Sequence, residues 1–525
     1  MAISLAFPSS GGSSTMVTRP RQFRKRTPSS NLKVLPQELW EAILSWLPSR
    51  DIAAVVATSR RLRAASEHIL YRNIDIDWAE DDSYEPLQKC VIALFRTICK
   101  RPELAAHVRH VAMTVSTIIP LEDFDDMAPA PEAVEFAKDI VTRAQFACPE
   151  EWMVAIGHGD PYAFATLFIS QLHQLRSLRL DSSFVWMSGF PGLMMWHSMF
   201  PGASVPPDAI SRFSKLELVE YGANYWPPYY DEQLIELQKW EYPMRPPSPD
   251  QFTAMLFLPC LKSLEIWTEK LNGFFDLLER SSGSSHNLAR VERLVLSQSL
   301  VHDGQVEKLL SLTRSVKTVH LGLVYQIQDK TIIEDGNALL RGLMSTRDTL
   351  EHLSIQIELC GEWMDIERAQ TGLEDRLRPF YGFLKHFPNL RSAEVPLVML
   401  VGRDDGPRSR QSLTGMLPAQ LQRLCLTQNQ TSCSNIEWSI PRAMDLVQDF
   451  LPHVKRTAPL LEQIVMRTSY RCESFGPEAA KTRGVCKKLG LGLDVRLMSG
   501  DHGPGLWTRS RDFAECRPCA AFMVI

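Results

Sequence analysis

Long apolar runs are missing from this chain of 525 residues. No window approaches the roughly 18 uninterrupted apolar residues that a membrane-crossing helix needs. An excess of one charge is missing as well: 57 lysines and arginines face 61 aspartates and glutamates, a formal net charge of −4. That balance gives no general push toward nucleic acid or an anionic membrane, which call for a basic face. Cysteine is sparse and odd in number, 11 over the whole length, a pattern of reduced thiols in the cytoplasm or nucleus rather than a secreted disulfide framework. The opening MAISLAFPSSGGSST has a short apolar run with no basic residues before it, which argues against a secretory leader.

The sequence also lacks the motifs that carry common chemistries. It has no GxxxxGK[ST] phosphate loop, GxSxG nucleophile turn, HExxH zinc helix or strand-linked GxGxxG. Cys516-Arg-Pro-Cys519 is a single CxxC, with Cys486 and His502 upstream and no second pair at finger spacing, so free thiols and no metal are expected. His158, in the turn-like IGHGDP, has no partner nucleophile in view and reads as a loop histidine. The expectation is a protein without enzymatic activity or cofactor.

What is present is enough apolar residue, 45%, to build a large core, in a chain too long for one compact domain of ordinary size. RPRQFRKR, at 19–26, sits among Ser, Gly and Pro and reads as a solvated basic tail over 1–31. From Leu35 the text changes. Pro36 suits the first turn of a helix and Pro48 marks its end, predicting a helix over 37–47. Leu39, Ile43 and Trp46 fall on one stripe of it, and Trp40, Leu44 and Leu47 on a second beside it. Ser49 is placed to cap a following helix with Asp51 in its first turn. After Ser59, RRLRAASEHIL is amphipathic, with Leu62, Ala65 and Ile69 inward and Arg60, Arg61 and Arg63 outward. Three helices in about forty residues leave a marginal core and surplus apolar surface, which reads as an interface completed by a partner, with an N-terminal helical cap on a larger domain as the alternative.

Leu35-Pro36-x-Glu38-Leu39, Ile43-Leu44, Leu47, Asp51, Val56, the Ser59-Arg60-Arg61-Leu62-Arg63 block and Leu70-Tyr71-Arg72 closely resemble an F-box, particularly the form common in fungal proteins. The segment departs from many members in carrying Ser59-Arg60-Arg61-Leu62 where they have Cys-Lys-x-Trp. The resemblance implies an F-box over 32–76 that binds the Skp-type adaptor of a Skp–cullin–F-box ubiquitin ligase. Leu35, Pro36, Leu39, Ile43, Leu44 and Leu47 would contribute to that surface, and a cullin scaffold would be reached through the adaptor.

Beyond Ile76 a phrase recurs, apolar-x-x-apolar-x-apolar. It appears as VRHVAM (108–113), LRSLRL (175–180), LELVEY (216–221), LKSLEI (261–266), VERLVL (291–296), VKTVHL (316–321), LEHLSI (350–355), LRSAEV (390–395), LQRLCL (421–426) and LEQIVM (461–466). The closing alternation describes a short strand with one face inward. Helical patterns such as GQVEKLLSL and LRPFYGFLKHF lie between. The phrases resemble degenerate leucine-rich repeats, with wider spacing than the roughly 20–29 residues of the regular repeat and without a continuous Asn ladder. The fold expected is α/β: the three-helix F-box module, then an irregular horseshoe-like solenoid with a parallel inner sheet over 77–500, then a tail over 501–525. An ordinary α/β domain with many parallel strands is the alternative.

The chain between Phe184 and Asp250 is rich in aromatics and proline. Trp186, Trp196, Trp226, Tyr229 and Tyr230 are candidate contacts for a target protein, because Trp and Tyr give large contact area at low entropy cost; the competing role is filling gaps between irregular repeats. The acidic runs WAEDDSYE and LEDFDDM read as solvated loops. Together these features predict a substrate receptor of a ubiquitin ligase, with an adaptor-bound structural or regulatory interaction protein as the second reading.

Overall fold

A computed structural model of the chain describes residues 36–77, 85–114, 129–181, 184–185, 189–202, 204–222, 250–268, 270–280, 287–326, 333, 335–360, 376–402, 412–427, 440–468 and 476–497. Three helices come first: α1 (Gln37–Leu44), α2 (Ser49–Thr58) and α3 (Arg60–Leu70). The strands follow as β1 (Asn73–Asp77), β2 (His110–Thr114), β3 (Ser177–Leu180), β4 (Leu218–Tyr221), β5 (Ser263–Ile266), β6 (Arg293–Ser299), β7 (Thr318–Gln326), β8 (His352–Cys360), β9 (Ser392–Pro396), β10 (Arg423–Thr427), β11 (Gln463–Thr468) and β12 (Gly492–Leu497). They make one 12-stranded sheet in strictly sequential order, β1 to β12, and neighbours run parallel throughout.

All ten phrases are strands, β2 to β11. Their leading residues, such as Val108, Leu175, Leu261 and Leu350, are buried just ahead of the strands, and the two residues of the closing alternation, such as Leu264 and Ile266, are buried within them. Each unit therefore adds three apolar side chains to ladders that run the length of the sheet, and covers the equivalent residues of its neighbours. The outer strands carry weaker versions of the phrase. β1 reads Tyr71-x-x-Ile74-x-Ile76, with a tyrosine leading. At β12 the leading position is Gly490, in the left-handed region at φ +71°.

Between strands the chain returns through helices. α4 (Glu85–Lys100) and α5 (Pro102–Ala105) lead into β2; α6 (Pro131–Ala144), α7 (Pro149–His158) and α8 (Pro161–Ser170) lead into β3. Every residue of α8 is buried. GQVEKLLSL lies within the helix Asp303–Leu312, as its periodicity predicts. LRPFYGFLKHF does not form an α-helix: it makes two short 3₁₀ segments, Arg378–Phe380 and Phe383–His386. Pro379 lacks the amide a longer helix needs, and Gly382, at φ +68°, turns the chain between them.

The expectation of one inward face holds only in part. In the middle of the sheet the second face is buried as well, at Glu265, Val295, His320, Glu394, Cys425 and Val465. Burial on both faces is usual for parallel sheets, and here it requires polar pairing. Arg293 donates to Glu265 at 2.9 Å. His320 Nδ1 meets Ser354 Oγ at 2.8 Å, Ser354 Oγ donates to Glu394 Oε2 at 3.2 Å, and Arg467 pairs with the other oxygen of Glu394. A buried carboxylate costs several kcal/mol unless so compensated.

Candidate functional site

α1 begins at the extended Pro36, whose carbonyl accepts from Trp40 N–H at 3.3 Å. Glu38 lies in its first turn, where the helix dipole favours a carboxylate. The helix ends at Leu44, earlier than its apolar pattern predicts. Ser45 is the reason: its hydroxyl donates to Ala42 O at 2.8 Å, competing with helix continuation. The chain then makes a tighter turn, Trp46 N–H to Ile43 O at 3.2 Å and Leu47 N–H to Leu44 O at 3.0 Å.

The turn extends one apolar stripe of α1 beyond its end. Leu39 is 50% exposed, Ile43 48% and Trp46 87%, three large apolar side chains facing solvent on one segment. The second stripe faces the other way: Leu44 is 1% exposed, and Trp40 and Leu47 are partly buried. Of the six residues expected at an adaptor surface, Pro36, Leu39 and Ile43 are exposed, Leu47 is partly so, and Leu35 lies outside the described residues. Leu44, the sixth, is buried, and α1 packs against α3. Trp46, absent from that set, is the most exposed of the group; its place on the Leu39–Ile43 stripe was the available signal.

α2 starts at Ser49 itself, with Pro48 in the N-cap position and no side-chain cap, so Ser49 does not play the capping role its type suggested. Ser59 caps α3 by accepting from Leu62 N–H at 3.2 Å. Arg60, Arg61 and Arg63 are exposed and Ala65 is buried, as the amphipathic pattern predicts.

The three helices are tied to the body that follows them. Arg72, two residues past α3, offers its carbonyl to the N–H groups of Arg109 (2.9 Å) and His110 (3.1 Å) as β1 joins β2. Glu67 on α3 receives Arg101 in a bidentate pair of 2.7 and 2.8 Å. Arg101 holds the Glu67 carboxyl below the usual carboxylate range, against the upward push of partial burial.

Of the candidate target contacts, Trp196 alone lies among the described residues. Trp196 lies on the helix Phe190–Met199, half-buried against the main core and tilted on Phe200 at 4.9 Å between ring centroids. Trp186, Trp226, Tyr229 and Tyr230 lie outside the described residues, as do the basic tail, His502, Cys516 and Cys519. Cys486 is buried. Among the described residues no group of three or more His, Cys, Asp and Glu is placed to hold a metal ion. His158 is the last residue of α7 rather than part of a loop, and Gly159 and Asp160 make the turn to α8.

Comparison with known families places an F-box-like domain at residues 32–77. The match ends on Asp77 and so includes β1, the first strand of the sheet. No curated protein matches the chain.

Proposed function

We propose that this protein is the substrate-recognition subunit of a Skp–cullin–F-box ubiquitin ligase, its F-box-like helices binding the Skp-type adaptor and its sheet-bearing body holding a target protein. The carrying observation is the outward stripe Leu39, Ile43 and Trp46 on a segment that matches the F-box-like family. The energetics set the size of the interface. A fully buried aliphatic side chain contributes about 1.5–3 kcal/mol, so the two half-exposed aliphatics return roughly half of that each. Trp46 adds about 4 kcal/mol from its larger area. Association costs about 4–15 kcal/mol, so Pro36, Leu47 and further surface of the module must join the contact.

The body is read as a degenerate leucine-rich-repeat solenoid of the kind found with fungal F-boxes. Its support is the recurring strand phrase and the sequential parallel order. The action would be positional: one protein holds target and adaptor together, raising the local concentration of target lysines at an enzyme supplied by other subunits. A cytoplasmic or nuclear location accords with the cysteine usage.

The test is co-expression with a Skp-type adaptor. Leu39→Asp with Ile43→Asp places two charges in the apolar contact and should abolish copurification while leaving the melting temperature of the body unchanged. Undiminished adaptor capture by the double variant would refute the reading.

A further inference from the structure

The second residue of each strand phrase lies along one edge of the sheet, and its charge alternates from β4 to β9. Glu217 pairs with Lys262 at 2.9 Å, Glu292 with Lys317 at 2.9 Å and Glu351 with Arg391 at 3.5 Å. Ahead of Glu217 the alternation fails. Arg72, Arg109 and Arg176 follow one another, adjacent through backbone bonds from Arg109 N–H to Arg72 O (2.9 Å) and Arg176 N–H to Arg109 O (2.8 Å). These three arginines, with His68 of α3 and with His107 and His110, line a cleft of about 620 Å³ between the F-box-like helices and the sheet edge.

Glu41 stands 3.7 Å from His68, but little negative charge answers the three arginines. The one carboxylate lining the cleft is Glu217; it is held by Lys262 and stands 4.0 Å from Arg176. Among the described residues neither Arg72 nor Arg109 is paired with a carboxylate; Arg109 instead donates to the Ala106 carbonyl at 2.7 Å. His110 and His107 register the same field. Burial first, and then Arg72, Arg176 and Arg109, hold His110 below the usual imidazole range. For His107, burial and then His68 and Arg109 do so, against Glu67 and Glu103.

We propose that this cleft binds a compact anion carrying several adjacent phosphate groups, gripped by Arg72, Arg109 and Arg176. Neighbouring strands stand about 4.8 Å apart, so the three guanidinium groups start from backbone positions spanning about 10 Å. That span suits an oligophosphate better than a single phosphate or a long polymer. The planar guanidinium fork matches phosphate oxygens in paired bonds, and the histidines add ring donors at the wall. Bound there, the anion would brace α3 against the sheet. The inference is independent of adaptor binding.

Titration calorimetry of the full chain at fixed ionic strength, with inorganic tripolyphosphate and monophosphate as probes, tests it. Tripolyphosphate should bind one to one and more tightly than monophosphate. Arg72→Gln with Arg176→Gln should weaken it by about tenfold or more, and Glu217→Gln should tighten it by freeing Arg176. Lys317→Gln with Arg391→Gln, an equal loss of charge further along the same edge, should leave it unchanged. Absence of binding, or equal weakening by the two double variants, would overturn the proposal. Capture of a doubly phosphorylated peptide that tripolyphosphate does not displace would overturn it too, assigning the cleft to a protein segment.

Discussion

Leu44 and Ile43 are chain neighbours of similar size, and the fold gives them opposite duties. Leu44→Ala empties part of the small core of the helical module and should lower its stability by about 2–5 kcal/mol, read by denaturant unfolding. Ile43→Ala and Trp46→Ala remove exposed groups and should leave unfolding nearly unchanged, while Trp46→Ala weakens adaptor binding by about 2 kcal/mol or more. Asp160 offers a pH test. It caps α8, accepting from Tyr162 N–H at 2.7 Å and Ala163 N–H at 3.4 Å; burial outweighs those bonds and pushes its carboxyl up from 3.8 to about 6. A raised carboxyl pKa means that the folded state holds the proton longer than the unfolded one. Stability is thus lost as pH rises from the unfolded value through the folded one, by about 3 kcal/mol at most. Asp160→Asn keeps the accepting oxygen without the charge, so it should be more stable than wild type at pH 7 and close to it near pH 4. Equal pH profiles for the two proteins would remove this account of Asp160.

At the scale of elements, β6 and β7 show how an irregularity in one strand dictates a residue in the next. Their pairing shifts between Leu296 and Ser299, where Gln298 takes a left-handed conformation at φ +45°. The shift presses backbone toward Gly322: a Cβ there would stand 2.9 Å from Gln298 N and 3.0 Å from Leu296 O and His320 Nε2. Backbone on a paired strand cannot retreat easily, so Gly322→Ala should cost about 1–3 kcal/mol, measurable as a lower denaturation midpoint. Wild-type stability for this variant would show that the shifted pairing relaxes freely.

For the whole molecule, the consequential junction is between the helical module and the sheet. β1 belongs to both, since the F-box-like match runs through it and its Ile74 is buried in the main core. A chain starting at residue 71 should therefore fold with its sheet complete. One starting at residue 78 loses β1, uncovers the edge of β2, and should melt at a lower temperature and self-associate; light scattering and thermal unfolding of the two compare them directly. If both behave alike, β1 contributes nothing to the body.

The sequence by itself determined the parts that repeat or that rest on local chemistry. Ten strands were legible because each needs the same three apolar positions. The helices of the first module were legible from Pro36, Pro48, Ser59 and the spacing of their leucines. Two end strands escaped because their leading positions hold Tyr71 and Gly490, and LRPFYGFLKHF was misread because its apolar pattern outvoted Pro379 and Gly382. Tertiary structure alone decided which stripe of α1 is outward, since Leu39–Ile43–Trp46 and Trp40–Leu44–Leu47 are equally apolar and the packing of α3 against α1 selects between them. It also decided where charge gathers. Arg72, Arg109 and Arg176 are dispersed over about a hundred residues of a nearly neutral chain, and parallel pairing of successive strands, which brings equivalent positions to adjacent places on one edge, makes them a single basic wall.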